Sequence, residues 1–162
     1  VYLPNFLTSH YGMNGVSAGI ATSVFIVAAA AIRVVGGWLG DRFDCYKLLA
    51  GVFAGIAVGA VVLAVAPDLP VYLAGIYLVS LACGIGNGVV FKLVPTYFTK
   101  QAGLANGIVA MMGGLGGFFP PLVLSASMLM FGTNVPGLAA FGAFALACLA
   151  IALGMRRTTG GV

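Results

Sequence analysis

The chain has 162 residues, of which 62% are hydrophobic and only 6% charged, with a formal net charge of +4. Soluble domains carry about 25% charged residues, so this composition excludes an ordinary water-soluble globule and points to an all-α, polytopic membrane helix bundle. The seven Lys and Arg residues are scattered rather than gathered into a patch, which excludes a nucleic-acid-binding surface.

Taken in chain order, the apolar pattern predicts one partial and five complete spans: roughly 1–7 (partial), 16–39, 48–66, 71–91, 102–130 and 135–155. The chain opens at Val1, inside an apolar element, with neither a charged n-region nor a cleavage site, and reads as a fragment whose N-terminal part lies upstream. Turn signals separate the segments at Ser9-His10-Tyr11-Gly12, Gly40-Asp41-Arg42, Pro67-Asp68-Leu69-Pro70, Pro95-Thr96-Tyr97 and Gly132-Thr133-Asn134. Arg42, Lys47, Lys92, Lys100, Arg156 and Arg157 all fall at one set of ends. The connections around His10, Asp68 and Asn134 hold no Lys or Arg. The positive-inside rule makes the cation-bearing side cytoplasmic and places the C-terminus there.

The seventh cation, Arg33, belongs to neither side. It precedes Asp41 by eight residues, about 12 Å of helix, which puts it near the membrane midplane. A guanidinium keeps its charge at any ordinary pH, and holding one at that depth costs roughly 3 kcal/mol on insertion scales. No Asp or Glu lies in any apolar span to compensate it. The remedy this implies is a water-filled cavity that holds an anion. The competing reading is a buried arginine that caps carbonyls or pairs with a carboxylate upstream.

Two glycine clusters accompany it. The fourth segment carries Gly84-Ile85-Gly86-Asn87-Gly88, where Asn87 is expected either to bond a neighbouring helix or to touch a ligand. In the fifth, Gly103, Gly107, Ala110, Gly114 and Gly117 form one side-chain-free stripe, and Gly113 and Gly117 add a GxxxG pair. Gly113, Gly114, Gly116 and Gly117 leave backbone open to a ligand of only a few atoms. Pro120-Pro121 then removes two backbone donors and is expected to kink or loosen that span.

Nothing in the chain reads as catalytic. The single histidine, His10, and Asp68 lie in outer connections far from Arg33, so no nucleophile with a base and no carboxylate pair can be assembled. Cys45, Cys83 and Cys148 show no metal-ligand spacing, and no metal or cofactor is expected. Packing is the expected use of Cys83 and Cys148.

The stretch Gly36-Gly37-Trp38-Leu39-Gly40-Asp41-Arg42-Phe43 resembles the G-x-x-x-D-R signature that major facilitator superfamily transporters carry on a cytoplasmic loop. It departs from the fullest form in that Phe43-Asp44-Cys45 follows, without the usual basic pair. Arg33 with Gly36 and Gly37 is similar to the eighth helix of the nitrate/nitrite porter family. Gly84 to Gly88 with Phe91-Lys92-Leu93-Val94-Pro95 is similar to its tenth helix, and Gly113 through Pro121 to its glycine-rich eleventh helix.

The resemblance implies the C-terminal six-helix half of a twelve-span transporter, from the end of helix seven onwards. The transporter would exchange or cotransport nitrate or nitrite across the cytoplasmic membrane. The anion would sit between Arg33 and an arginine of the missing N-terminal half. Gly37, Asp41 and Arg42 would belong to a conformational latch, and membrane lipid and the missing half would be the partners. A carrier for another small anion and a structural membrane subunit are the alternatives.

Overall fold

The computed structural model describes residues 2–159. Val1, with which the expected partial span begins, lies outside them. The described residues form seven helices: α1 (Tyr2–Tyr11), α2 (Gly15–Arg42), α3 (Cys45–Val65), α4 (Leu69–Tyr97), α5 (Ala102–Gly116), α6 (Phe119–Phe131) and α7 (Val135–Thr159). Five stretches are long and apolar enough to cross a membrane, α5 and α6 together counting as one. The all-α reading holds.

Several helices run past the apolar segments that announced them. α2 continues through Gly40-Asp41-Arg42, where a turn was expected, and stops at Phe43, whose N–H still reaches the Leu39 carbonyl. α4 likewise continues through Pro95-Thr96-Tyr97 to the cap at Phe98. Hydrophobicity reports where the lipid ends, whereas a helix ends where its hydrogen-bond ladder stops. Pro95 forfeits one bond near the end of α4 without stopping the turn.

The expected loosening of the fifth span is present. α5 ends at Gly116 and α6 begins at Phe119. Gly117 N–H still bonds the Gly113 carbonyl, but Phe118 N–H closes a tighter turn onto Leu115. Pro120 and Pro121 have no N–H to offer the carbonyls one turn earlier. α6 ends at Gly132, whose φ of 67° is the left-handed cap conformation that glycine adopts without strain.

Helix α4 is the hub. It packs on α2 along one side and on α3 along another, α7 packs on α3, and α5 leans on α4. The α2–α4 crossing is close because side chains are absent from it. A β-carbon at Gly84 would strike Ile32 and the Ala29 carbonyl, and one at Gly36 would strike the Ile85 carbonyl. Gly86 faces the other way, with Val52 of α3 at 2.7 Å from where its β-carbon would be. Ser80, fully buried, donates a 2.8 Å hydrogen bond from α4 to the Phe25 carbonyl of α2. Satisfying a polar hydroxyl on a neighbouring helix is the usual requirement in a low-dielectric bundle.

Two small cores mark the ends. Phe6, Leu7, Ala18, Tyr72 and Ile76 pack together where α1 meets α2 and α4. Cys45, Leu49, Val89 and Ala152 pack at the other end. The outer flanks stay apolar and exposed, as at Val34 (77%), Leu129 (88%) and Met130 (77%), which suits surfaces meant for lipid or another helical unit rather than water.

Candidate functional site: a cleft around Arg33

Four helices, α2, α3, α4 and α5, enclose a cleft of about 550 Å³. Arg33 enters it from α2, Asn87 and Cys83 from α4, and Gly113 and Gly114 from α5. Phe53 and Ile56 of α3 and Phe91 of α4 supply apolar wall. The cleft therefore unites Arg33, Asn87, Gly113 and Gly114, which lie far apart in the chain.

Gly116 and Gly117 do not line the cleft. They sit at the break between α5 and α6, and their carbonyls are the ones that Pro120 and Pro121 leave without a helical donor. Apart from each glycine's two chain neighbours and the backbone of its own helix, nothing lies within 4 Å of a β-carbon built on Gly103, Gly107, Gly113, Gly114 or Gly116. Among the described residues, no neighbouring helix is pressed against these five glycines.

Arg33 is exposed to the cleft, and none of the ion pairs among the described residues involves it. The three carboxylates of the chain are placed elsewhere: Asp41 pairs with Lys92, Asp44 lies near Lys47 and Arg156, and Asp68 precedes α4 at the opposite end. The Arg33 backbone, in contrast, is held tightly. Gly88 packs against the Arg33 carbonyl and lies beside Gly36 and Gly37. The glycine cluster of α4 thus works mainly as a packing surface that fixes the height and rotation of Arg33, a use its spacing alone did not separate from ligand contact.

The interhelical hydrogen bond expected of Asn87 is not formed by its carbonyl oxygen. Oδ1 is buried and has no hydrogen-bond partner, and the same is true of Asn106. Cys83 was expected only to pack, yet it is exposed at the cleft wall, whereas Cys148 is half-buried; neither is disulfide-bonded. Among the described residues, no group of three or more His, Cys, Asp or Glu gathers into a metal site.

A second constellation lies where the ends of α2, α4 and α7 meet the start of α3. Asp41 at the end of α2 pairs with Lys92 of α4. Asp44 caps α3 by accepting from the N–H groups of Tyr46 and Lys47, and takes Arg156 of α7 at 3.4 Å. Tyr46 and Tyr97 share a 2.7 Å hydroxyl contact between α3 and α4. Arg42 does not join Asp41; its guanidinium lies 4.2 Å from the centre of the Trp38 ring. Gly37 lies about one turn before Asp41 on α2, beside Gly88.

The sequence profile of the Major Facilitator Superfamily matches residues 1–161. The chain belongs to the major facilitator superfamily. Within that superfamily it is similar to the nitrite extrusion protein of Bacillus subtilis (strain 168), at 45% identity over 155 residues covering 96% of this chain and 39% of the relative. It is also similar to the probable nitrate transporter NarT of Staphylococcus aureus (strain JH9), at 46% identity over 149 residues covering 90% of this chain and 38% of the relative. The chain thus spans about two fifths of the length of the curated relatives it matches. In this facilitator, a multi-pass membrane protein, Asp41 and Arg42 of the signature close α2 and bind Lys92 and the Trp38 ring, while Arg33 of the same helix faces the cleft.

Proposed function

We propose that the chain is the C-terminal half of a secondary transporter that carries nitrate, nitrite or both across the cytoplasmic membrane by alternating access. The observation that carries this reading is the Arg33 guanidinium, without a carboxylate partner, lining a glycine-walled cleft among apolar helices. The names of the two relatives support the identity of the anion.

The chemistry suits the cargo. Nitrate and nitrite are small, planar and monovalent, and a guanidinium can give two parallel hydrogen bonds to two of their oxygens. Lysine would supply a point charge without that fork. Gly113 and Gly114 leave room beside Arg33, Asn87 adds an amide, and Gly116 and Gly117 soften the helix that carries them. An arginine of an N-terminal half would close the far side of the anion. Gly37, Asp41 and Arg42 would serve the latch between access states, at a C-terminal, cytoplasmic face assigned from its six cations. Lipid and the N-terminal half would cover the exposed apolar flanks. Because no carboxylate lines the cleft, anion exchange is favoured over proton symport.

The test is labelled nitrate uptake into proteoliposomes by the full-length protein, wild type against Arg33→Lys, with and without internal nitrite. The wild type should take up nitrate, faster against internal nitrite, and Arg33→Lys should lose uptake while inserting normally. Normal uptake by Arg33→Lys would overturn the reading.

A further inference from the structure

The Asn87 carbonyl oxygen is buried on the wall of the Arg33 cleft and has no donor. A buried acceptor without a donor is costly, by about 1–3 kcal/mol, and natural structures seldom leave one so. Nitrate and the nitrite ion carry no N–H or O–H, so neither can satisfy it. Of the cleft-lining side chains, only Arg33 and the amide itself carry N–H donors, and the Cys83 thiol is a weak one. A guanidinium has five N–H groups; a bidentate anion takes two of them, which leaves three in need of acceptors. Asn87 and Arg33 sit at the same level of the bundle, because Gly88, the next residue, packs directly on the Arg33 carbonyl.

Resting on the anion-carrier reading above, we propose that Asn87 is the positioning residue for Arg33. Its Oδ1 accepts an N–H that the anion does not use, and this holds the guanidinium plane and turns the amide Nδ2 toward the anion. The neutrality of the amide is the essential property. A carboxylate at the same place would orient Arg33 equally well, but would cancel the charge the anion needs. An apolar side chain would leave the charge and lose the orientation.

The titratable side chains lining the cleft from α2, α3, α4 and α5 are Arg33 and Cys83 alone. An aspartate introduced at position 87 would therefore bring a new titration into this wall. The experiment measures nitrate uptake by the full-length protein in proteoliposomes as a function of nitrate concentration at pH 8, 7, 6 and 5, for wild type, Asn87→Gln, Asn87→Leu and Asn87→Asp.

The expected results are as follows. Asn87→Leu raises half-saturating nitrate about ten- to hundredfold with insertion unchanged, the loss of one hydrogen bond to a charged group. Asn87→Gln, which keeps both ends of the amide, stays nearer to wild type. Asn87→Asp is weaker than Asn87→Leu at pH 8, and its half-saturation relative to wild type improves as the pH falls and the carboxylate takes up a proton. A structural role alone would give no such pH-dependent recovery.

Two outcomes overturn the proposal with the carrier reading intact: wild-type half-saturation in Asn87→Leu, or an Asn87→Asp profile that runs parallel to wild type across the four pH values. If Asn87→Asp is inactive throughout, the Gln and Leu variants decide, since equal half-saturation in both overturns the proposal and rescue by Gln alone supports it. A wild type that takes up neither nitrate nor nitrite overturns the carrier reading, and this proposal with it.

Discussion

Gly88 lies against the main-chain carbonyl of Arg33 so closely that a β-carbon there would overlap the oxygen, and the same β-carbon would come within 2.7 Å of the Gly37 nitrogen. The residue that matters for charge is thus located by a residue with no side chain on the next helix but one. Gly88→Ala must push α2 and α4 apart, which in a packed interior costs about 1–3 kcal/mol. Gly51→Ala has no neighbour within 4 Å and should change stability by less than about 0.5 kcal/mol. Thermal unfolding in detergent of the two variants checks the pair, and an equal effect from both would mean the crossing is looser than described.

Ser80 tests the same crossing by hydrogen bonding instead of volume. Its hydroxyl donates to the Phe25 carbonyl at 2.8 Å and is fully buried. Interhelical bonds of this kind in bilayers average about 0.6 kcal/mol and reach about 1.7. Ser80→Ala should fall in that range in a denaturant titration, well below the cost of Gly88→Ala.

Asp44 combines two duties that can be separated. It caps α3 through the N–H groups of Tyr46 and Lys47, and it pairs with Arg156 at 3.4 Å. Asn caps a helix about as well as Asp, while an N-cap replaced by Ala loses about 1 kcal/mol. Asp44→Asn should therefore lose little, because a partly exposed ion pair contributes no more than about 1 kcal/mol. Asp44→Ala should lose more. Equal losses would mean that the contact with Arg156, and not the cap, is the stabilising one.

Cys83 and Cys45 should differ in reactivity. Cys83 lies at the cleft wall with Arg33, whereas Cys45 is 6% exposed among Leu49, Val89 and Ala152. A small charged thiol reagent applied to the folded protein should modify Cys83 first, and nitrate should slow that reaction if it occupies the cleft. Mass spectrometry of the labelled peptides reads both rates. Faster labelling of Cys45 would contradict the packing at that end of α3.

Much of this arrangement was legible in the chain because a permanent charge inside a long apolar run has few physical remedies. That reasoning singles out Arg33, which the structure places at the cleft, and the proline pair points to the break in the fifth span. Other features were not legible, for identifiable reasons. Helix ends at Arg42 and Tyr97 were missed because hydrophobicity stops at the lipid boundary while the backbone ladder continues. Gly84 and Gly88 could not be told from ligand-facing glycines, since helical spacing gives a stripe but not the neighbour it faces. The ion pair of Asp41 with Lys92 joins residues 51 positions apart and has no local signal.

The divided fifth span has a mechanical consequence. Its C-terminal piece, α6, is clasped to the start of α7: Ser127 donates to the Thr133 carbonyl at 2.7 Å and accepts from the Gly137 N–H at 3.1 Å. Its N-terminal piece, α5, has no buried residue and leans mainly on α4, apart from its junction with α6. The span is therefore a lever with one arm clasped to α7, a soft elbow at Gly117 and Phe118, and a loosely held arm that carries Gly113 and Gly114. Swinging that arm would widen or narrow the space beside Arg33 while the clasp on α7 and the α2–α4 crossing stay still, so the width of the cleft and the position of its charge can vary independently.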